Sequence, residues 1–555
     1  MDLASSIEIL EARIAPATFT VSVLDDSGPG SLRQAVLDSN HSTHPGADTI
    51  VFTVHPNVIK LTSGEILIDD PLKIIGPGGN KIIIDGNNAS RIFNITDGSA
   101  GTDSPVSISG LVLIHGNTAG NGGAIYDTES LTIKNCVISG NTSGSAGGGV
   151  EAYASDTPHS IIKVTNSLIS NNHSGTGGGM RLGAAKSVTL SNCQILDNVA
   201  TGTRGGGVSI GIPSGLGFVK NNIITGNTAK YGGGLFVTDS NPDPSSKITI
   251  SGSTITGNIS TDSGGGVYAG AGNLIVSSST LSNNVATNAG GGIASIGFTT
   301  LSIVSSKITG NRTTDMPGGI AFAGGGGVRL TGPGTARITS STISDNTAAS
   351  YGGGIAAFDG TTLNLLRSTI SGNNSLQGGG IIAYGFGTSE VTLKITGGEI
   401  SGNSCPEPSG LGGGGGIFVD SSGDVTITGA RLSHNTADNG GGAFIRTSGN
   451  VALTGVSFTH NAATADAGGL YIQSTPNLKI TGGSFIGNTA VNGGGIFENG
   501  VNGGIFGTKI FGNAATDTGG GVFDDTASTS HLLVDLSKVI GNIAVTDPNV
   551  HGTTF

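Results

Sequence analysis

The sequence predicts an all-β fold in which one chain winds into a single-stranded parallel β-helix, a solenoid of stacked coils. Three observations lead to this prediction. One asparagine recurs every 24 to 35 residues, the residues before it alternate between apolar and polar, and glycine pairs separate successive units. Glycine contributes 100 of the 555 residues, but proline only 17, and charged residues are only 11%. This composition does not fit collagen or a disordered chain.

The repeated asparagine defines the units. Three positions before it the residue is always apolar, as in Ile138 and Val539, and eight positions before it the residue is almost always aliphatic. Polar residues flank that aliphatic position, and this alternation predicts a half-buried strand. The sixteen copies of the asparagine are Asn117, Asn141, Asn172, Asn198, Asn227, Asn258, Asn284, Asn311, Asn346, Asn373, Asn403, Asn435, Asn461, Asn488, Asn513 and Asn542.

Each unit also contains two sharp bends. The residue directly before the asparagine is Gly, Asn, Asp or His, the types that tolerate a positive φ. Most units then resume with a glycine pair and an apolar residue, as in GGGV at 147–150, which indicates close approach of backbone to backbone. The residue five positions before the asparagine is usually small, and Cys136 and Cys193 occupy this position as buried fillers.

A short unit with strands and no helical period predicts coils that stack at the strand spacing of about 4.8 Å. Sixteen such coils make a rod of about 75 Å. The repeated asparagines would then form a ladder, in which each amide donates to one neighbour and accepts from the other. The alternative is an asparagine that faces solvent in a turn.

The chain divides into three parts. Residues 1–17 are an N-terminal tag that we expect to be poorly ordered, residues 18–104 form a cap and degenerate first coils, and residues 105–555 form the regular array of about sixteen coils. Ser31 and Gln34 have the spacing of a capping box. Together with apolar residues on one helical face of SLRQAVLDSN, they predict a short helix that covers the first coil.

The motifs I/F-x-x-N and G-G-[AG]-I resemble the repeats of the polymorphic outer membrane protein type. The segment DDSGPGSLRQAVLDSN with ADTIVF resembles the first segment of bacterial β-helix surface proteins, and ILEARIAPA is similar to an N-terminal tag of exported proteins. This resemblance implies a right-handed parallel β-helix on a bacterial surface. The sequence departs from it in showing neither a C-terminal membrane barrel nor a sorting tail.

The composition argues against several classes of function. The net charge is −12 and no cluster of Lys and Arg stands out along the sequence, so we expect no nucleic acid partner. No apolar run reaches 18 residues, so we expect no membrane-spanning helix. The absence of Trp and the aromatic content of 5% argue against a large cofactor pocket. The three cysteines lack the spacing of a zinc site or a disulfide framework, and we expect no cofactor and no metal.

Candidate catalytic groups are few. Glu151 and Arg181 occupy the same position in adjacent units, where an ion pair is the simplest interpretation. His434 and His460 also share a position and could bind a metal together, although their place in a turn already explains them. Adjacent acids occur in terminal regions or loops, where solvated turns explain them, and these are Asp25 and Asp26, Asp69 and Asp70, and Asp524 and Asp525. We therefore assign no catalytic residue.

An aromatic stripe is the candidate binding feature. In five successive units the residue after the first apolar position is aromatic. If the stripe faces outward it offers a flat platform for sugar rings or a protein partner, and if it faces inward it is core. The sequence leaves the two orientations open. The stripe consists of Phe418, Phe444, Tyr471, Phe497 and Phe523.

These observations together predict a non-enzymatic, elongated adhesion or structural protein that binds glycans or surface proteins through its lateral faces. We expect an extracellular or cell-surface location, associated with the outer membrane, without a standard signal peptide. A monomer is favoured. The alternative is a pectate-lyase-like β-helix enzyme, a polysaccharide lyase or glycoside hydrolase.

Overall fold

A computed structural model describes residues 16–552, apart from 43, 45, 55–56, 79–81, 100, 155–159, 185, 213–214, 239–245, 315–322, 387–388, 407–412, 526–530 and 536–537. Within this range the chain forms a parallel β-solenoid of about 18 turns with one short helix, which confirms the predicted fold class. The predicted tag at 1–17 lies almost entirely outside the described residues.

Each coil contributes strands to three long sheets and, in most of the array, to a short fourth one. The chain passes through the first, second, fourth and third sheets in that order, as in Leu131–Lys134, Val137–Ser139, Thr142–Ser143 and Val150–Ala154. Every strand pairs in parallel with the equivalent strand of the next coil, without a register shift in nearly all pairs. Equivalent residues of successive coils therefore lie side by side.

The first sheet contains the strands Thr18–Val21, Asp48–Phe52, Leu72–Ile75, Val106–Ser109, Leu131–Lys134, Ile161–Thr165, Ser187–Ser191, Leu216–Lys220, Lys247–Ser251, Gly272–Ser277, Phe298–Val304, Thr335–Thr339, Thr362–Leu366, Thr392–Thr396, Val425–Thr428, Asn450–Thr454, Asn477–Thr481, Asn502–Phe506 and His531–Val534.

The second sheet contains Asn57–Lys60, Ile82–Asp85, Val112–Ile114, Val137–Ser139, Leu168–Ser170, Gln194–Leu196, Ile223–Thr225, Thr254–Thr256, Thr280–Ser282, Lys307–Thr309, Thr342–Ser344, Thr369–Ser371, Glu399–Ser401, Arg431–Ser433, Ser457–Thr459, Ser484–Ile486, Lys509–Phe511 and Val539–Ile540.

The third sheet contains Ile66–Ile68, Phe93–Ile95, Ile125–Asp127, Val150–Ala154, Met180–Ala184, Val208–Gly211, Leu235–Thr238, Val267–Ala269, Ile293–Ile296, Val328–Thr331, Ile355–Phe358, Ile381–Tyr384, Ile417–Ser421, Ala443–Thr447, Leu470–Gln473, Ile496–Asn499, Val522–Asp524 and Val550–His551.

The fourth sheet has two pieces, joined by single bridges between residues 312 and 436. Its strands are Asn117–Thr118, Thr142–Ser143, His173–Ser174, Val199–Ala200, Thr228–Tyr231, Ile259–Ser263, Val285–Ala286, Arg312–Thr313, Thr436–Ala437, Ala462–Ala463, Thr489–Asn492 and Ala514–Thr518.

The helix Leu32–Asn40 packs on the first coils, and the Ser31 hydroxyl accepts a hydrogen bond from the Gln34 backbone N–H at 3.2 Å. The predicted capping box is half formed, because the Gln34 side chain donates to Asp38. This helix buries Leu32 and Val36 completely and so covers the first coil. Among the described residues, no helix is long and apolar enough to cross a membrane.

The glycine bends are required by the close approach of successive coils. In GGGV at 147–150, Gly147 has φ 65°, a left-handed conformation that favours glycine. A Cβ on the next residue, Gly148, would lie 2.1 Å from the backbone oxygen of Gly178 in the following coil. A side chain at this position would therefore separate the two coils.

The asparagine ladder is present and continuous from Asn141 to Asn542. At Asn258, which is fully buried, Nδ2 donates to Oδ1 of Asn284 at 3.0 Å and to the carbonyl of Ile224 at 2.9 Å. Its Oδ1 accepts from the backbone N–H and from Nδ2 of Asn227 at 3.1 and 2.9 Å. The same pattern recurs along the rod, so the amides satisfy one another in the interior.

Asn117 is not part of the ladder, and the sequence-based prediction is wrong for this member. The left-handed residue of its turn is His115, with φ 53°, so the turn is shifted by one residue relative to the other coils. Gly116 occupies the ladder position and its N–H donates to Oδ1 of Asn141 at 2.8 Å. Asn117 is exposed and donates to the carbonyl of Asn88 at 3.1 Å.

A second ladder runs along the small residues five positions before the asparagines. The backbone N–H of Ser253 donates to Oγ of Ser279 in the next coil, and Ser279 donates to Ser306 in the same way, both at 3.2 Å. Cys136 and Cys193 belong to this column and are buried. Their backbone N–H groups donate to side-chain oxygens of the next coil, so the column fixes the corner between the first and second sheets.

Candidate functional site

The aromatic stripe lies on the outer surface of the third sheet. In Ile417–Ser421 the side chains of Ile417 and Val419 enter the main core, whereas Phe418 belongs to a separate apolar cluster. Because side chains alternate across a strand, Phe418 and the equivalent aromatics of the following coils point away from the core. The structure therefore resolves the orientation that the sequence left open.

The rings of the stripe stack on one another along the rod. Phe444 and Tyr471 have ring centroids 4.6 Å apart and an angle of 11° between their planes, and Phe497 and Phe523 are 4.7 Å apart. Each ring covers the faces of its neighbours, and Phe418 and Phe444 are only 1% and 4% exposed. The surface therefore presents ring edges, and the expected flat platform of ring faces is not formed.

An aromatic cleft lies at the N-terminal end of the stripe, where the regular stacking stops. Its rings are tilted to one another: Tyr384 and Phe386 have centroids 4.6 Å apart at 53°, and Tyr351 and Phe358 are 6.3 Å apart at 77°. The cavity between them has a volume of about 80 Å³. The lining side chains are Tyr351, Phe358, Gln377, Tyr384, Phe386, Phe418, Asp420 and Arg446.

Polar groups border this aromatic cleft on one side. Nε of Arg446 donates to Oδ1 of Asp420 at 3.0 Å, and Nη2 donates to Oδ2 of the same carboxylate. The pKa of Arg446 is raised by its hydrogen bonds to Asp420, while burial and the nearby Asp420 raise the pKa of Tyr384. The cleft therefore combines neutral aromatic rings with a fixed pair of opposite charges.

A buried arginine supports the floor of the cleft. Arg329 is 8% exposed, and its Cζ lies 3.9 Å from the centroid of the Phe358 ring. Burial lowers the pKa of Arg329 to about 10, and the guanidinium still carries its charge near neutral pH. This cation–π contact holds the Phe358 ring in place.

A second group of interest lies about seven coils before the cleft on the same sheet. Oε1 of Glu151 accepts a hydrogen bond from Nη1 of Arg181 at 2.6 Å, and Cζ of Arg181 lies 4.1 Å from the Tyr153 ring centroid. Glu151 is 1% exposed and its Oε2 has no hydrogen-bond partner. Burial raises the pKa of Glu151 to about 7, although Arg181 acts in the opposite direction. The predicted ion pair is therefore present.

The acid pairs noted in the sequence do not form carboxylate dyads. Asp26 accepts hydrogen bonds from Arg33, Ser63 and Thr62. Burial opposes its ionisation, but these bonds outweigh burial and lower the pKa of Asp26 to about 2. Asp524 points inward and is 1% exposed, whereas the Asp525 carboxylate accepts from the amide of Asn499.

His434 and His460 stack at 5.3 Å in exposed turns. In the part of the chain that the structure describes, no group of three or more His, Cys, Asp or Glu side chains could hold a metal ion. Burial raises the pKa of the Cys193 thiol to about 11 and that of Cys405 to about 12. Both thiols are therefore protonated near neutral pH.

Most of the cleft was missed by the sequence analysis. Only Phe418 belongs to the predicted stripe, and the other lining residues come from coils that are distant in sequence. One signal was available, because Phe358 and Tyr384 share a position three residues after the first apolar residue in GGGIAAF and GGGIIAY. Phe386 and Tyr351 lie in connecting segments, where the repeat gives no register.

Comparison with known proteins supports the fold. Residues 100–281 match a family model described as a right handed beta helix region, and the array is therefore a right-handed parallel β-helix, as the resemblance implied. No curated protein matches the chain at a significant level.

Two solved structures illustrate this similarity. Tailspike protein 3 of bacteriophage CBA120 is 12% identical with a TM-score of 0.23, and the alignment covers 95% of this chain and 60% of the tailspike. The A-module of the mannuronan C-5 epimerase AlgE6 of Azotobacter vinelandii is 12% identical with a TM-score of 0.20, covering 96% of this chain and 100% of the module. The chain thus spans about 60% of the tailspike's length.

Proposed function

We propose that this chain is a non-enzymatic adhesion protein of the cell surface or the extracellular space, of the polymorphic outer membrane protein type, which binds carbohydrate at the aromatic cleft. The observation that carries the proposal is the set of tilted, outward-facing rings beside the Asp420–Arg446 ion pair. Sugar rings have apolar faces that pack on aromatic side chains, and hydroxyl groups that hydrogen-bond to carboxylates, guanidinium groups and amides.

The size of the cleft favours recognition of part of a longer molecule. Its volume of about 80 Å³ is well below the roughly 300–1,000 Å³ typical of pockets that enclose a small ligand. One sugar unit of a glycan could dock there while the rest of the chain extends along the rod. Side chains of Gln377 and Arg446 would then provide the polar contacts.

The chemistry of the cleft favours binding without cleavage. Asp420 is the only carboxylate among its lining residues, and it is held by Arg446. Glycoside hydrolysis requires two carboxylates about 5 to 9.5 Å apart, one of which keeps its proton. The described lining therefore lacks the second group that the reaction needs.

One observation favours the alternative, a polysaccharide lyase or hydrolase. The pKa of Glu151 is about 7, a value suited to a general acid or base. The carboxylate is buried beneath Arg181, however, and a substrate would have to displace that side chain. Incubation with acidic and neutral polysaccharides tests this function. Release of reducing or unsaturated ends that Glu151→Gln abolishes would replace the adhesion proposal.

Retention of the full chain on a glycan panel tests the adhesion proposal. Tyr384→Ala and Phe386→Ala should each weaken binding to the retained glycan about tenfold, since base or sugar stacking on one ring contributes about 1–3 kcal/mol. Phe523→Ala is the matched control, because it removes an aromatic ring of the stripe remote from the cleft. Equal loss in all three variants, or no retention of the wild-type chain, contradicts the proposal.

Surface location is tested separately. Labelling of intact cells with a reagent that does not cross membranes should modify the protein as fully as labelling of lysed cells. Labelling that requires lysis would contradict a surface or extracellular location.

A further inference from the structure

The strands of the first and second sheets carry an excess of basic residues, although the whole chain has a net charge of −12. Three acids lie in these strands: Asp48 is buried, Asp85 pairs with His115, and Glu399 lies beside Arg431 of the next strand. The basic residues are Lys60, Lys73, Lys134, Lys163, Lys220, Lys247, Lys307, Arg337, Lys394, Arg431, Lys479 and Lys509. All of them are exposed.

These basic side chains differ from those elsewhere in their partners. Among the described residues, the arginines in ion pairs are Arg33, Arg91, Arg181 and Arg446. None of the basic residues in the strands of the first and second sheets forms an ion pair in that part of the chain. Their charges are therefore available to a partner in solution.

Five of the bases share one outward column of the first sheet, which we call the basic column: Lys73, Lys163, Arg337, Lys394 and Lys479. The register of successive strands places them in line. From the first to the last member the column covers 14 strand spacings, or about 67 Å at about 4.8 Å each. Lys134, Lys220 and Lys247 lie in the neighbouring columns of the same sheet.

Most of the positions between these bases carry hydroxyl groups and none carries an acid. Thr132 precedes Lys163 in the column, and Thr189 follows it. The result is a flat surface that offers positive charge and hydrogen-bonding groups at the spacing of the coils, which is comparable to the length of one sugar unit in an extended chain. An extended polymer of negative charge and many hydroxyl groups fits both properties.

We propose that the basic column binds an unbranched acidic polysaccharide that lies along the rod axis. A nucleic acid fits the surface less well, because single strands are bound by rows of aromatic side chains, and Phe218 is the one ring in the column between Lys73 and Lys479. This surface is formed by a different sheet from the aromatic cleft and does not depend on the function proposed for the cleft.

Binding of the full chain to polygalacturonate, with dextran as a neutral polymer, tests the proposal. The chain should bind polygalacturonate and not dextran, and 0.5 M NaCl should weaken binding strongly, since salt screens exposed charges. The double variant Arg337→Gln/Lys394→Gln should bind about fivefold more weakly, as expected for two exposed charge contacts.

The control is Lys230→Gln/Arg312→Gln, which removes the same charges from exposed positions of the fourth sheet. It should change affinity less than twofold, and Tyr384→Ala in the cleft should leave polygalacturonate binding unchanged. Equal losses in the two double variants would show that only net charge matters and would overturn the proposal. Absence of binding, or tighter binding of single-stranded DNA through Arg337 and Lys394, would overturn it as well.

Discussion

Asn258→Ala removes one member from the middle of the ladder and gives the sharpest test of how the rod is held together. The substitution leaves three buried groups without their partner, namely the backbone N–H and one Nδ2 hydrogen of Asn227 and the carbonyl of Ile224. Each unsatisfied buried group costs about 1–3 kcal/mol. Because neighbouring losses are not additive, we expect a total of about 3–6 kcal/mol.

Asn117→Ala is the matched control, since Asn117 occurs in the same sequence motif but is exposed and outside the ladder. Its single hydrogen bond to Asn88 should contribute within about 0.5 kcal/mol. A solenoid can unfold in parts, so hydrogen exchange of amides between residues 227 and 284 is the best assay. Exchange in Asn258→Ala should be faster by a factor of about 100 or more. Equal exchange rates in the two variants would refute the ladder argument.

Three further predictions concern other parts of the rod. Because the pKa of Glu151 is raised to about 7, its contribution to stability is present below its unfolded value of about 4.5 and is lost as the pH rises through 7. Glu151→Gln should therefore raise the free energy of unfolding at pH 8 by about 1–3 kcal/mol and flatten its pH dependence, whereas unchanged melting at pH 8 would contradict the raised pKa. Cys193→Ser should cost less than about 1 kcal/mol, because serine fills the same column in other coils; native Cys193 should resist alkylation at pH 8, and rapid modification would show that the thiol is not buried. Phe444→Ala should cost about 3–5 kcal/mol, since the ring is 4% exposed between Phe418 and Tyr471, and should leave glycan retention intact; a loss of retention without a loss of stability would assign the stripe a direct binding role.

The repeat allowed most of the fold to be predicted. Apolar residues at fixed positions before each asparagine, such as Ile138, predicted strands, and all of those positions now lie in one continuous core. The glycine bends and the left-handed turns were predicted because few residue types tolerate them. The failure at Asn117 shows where this reasoning stops, since a one-residue shift in a turn preserves the sequence motif but moves the side chain to the surface.

The candidate site could be predicted only in part. The stripe was visible in the sequence because its members share one position, but the aromatic cleft joins residues as distant as Tyr351 and Arg446. The bases of the basic column are separated by up to about 90 residues of sequence, and no charge cluster was therefore apparent. Stacking at a fixed strand spacing converts a column in the repeat into a contiguous surface.

The sequence by itself determined the coil, its period and the residues that stack on one another, because those properties depend on local alternation and on residues that permit sharp turns. Tertiary structure alone decided that Phe418 faces outward, that the stripe exposes ring edges and that Arg337 and Lys394 belong to one charged face. These outcomes depend on which side of each strand meets the core and on how coils align, and neither is fixed by the residues of a single unit.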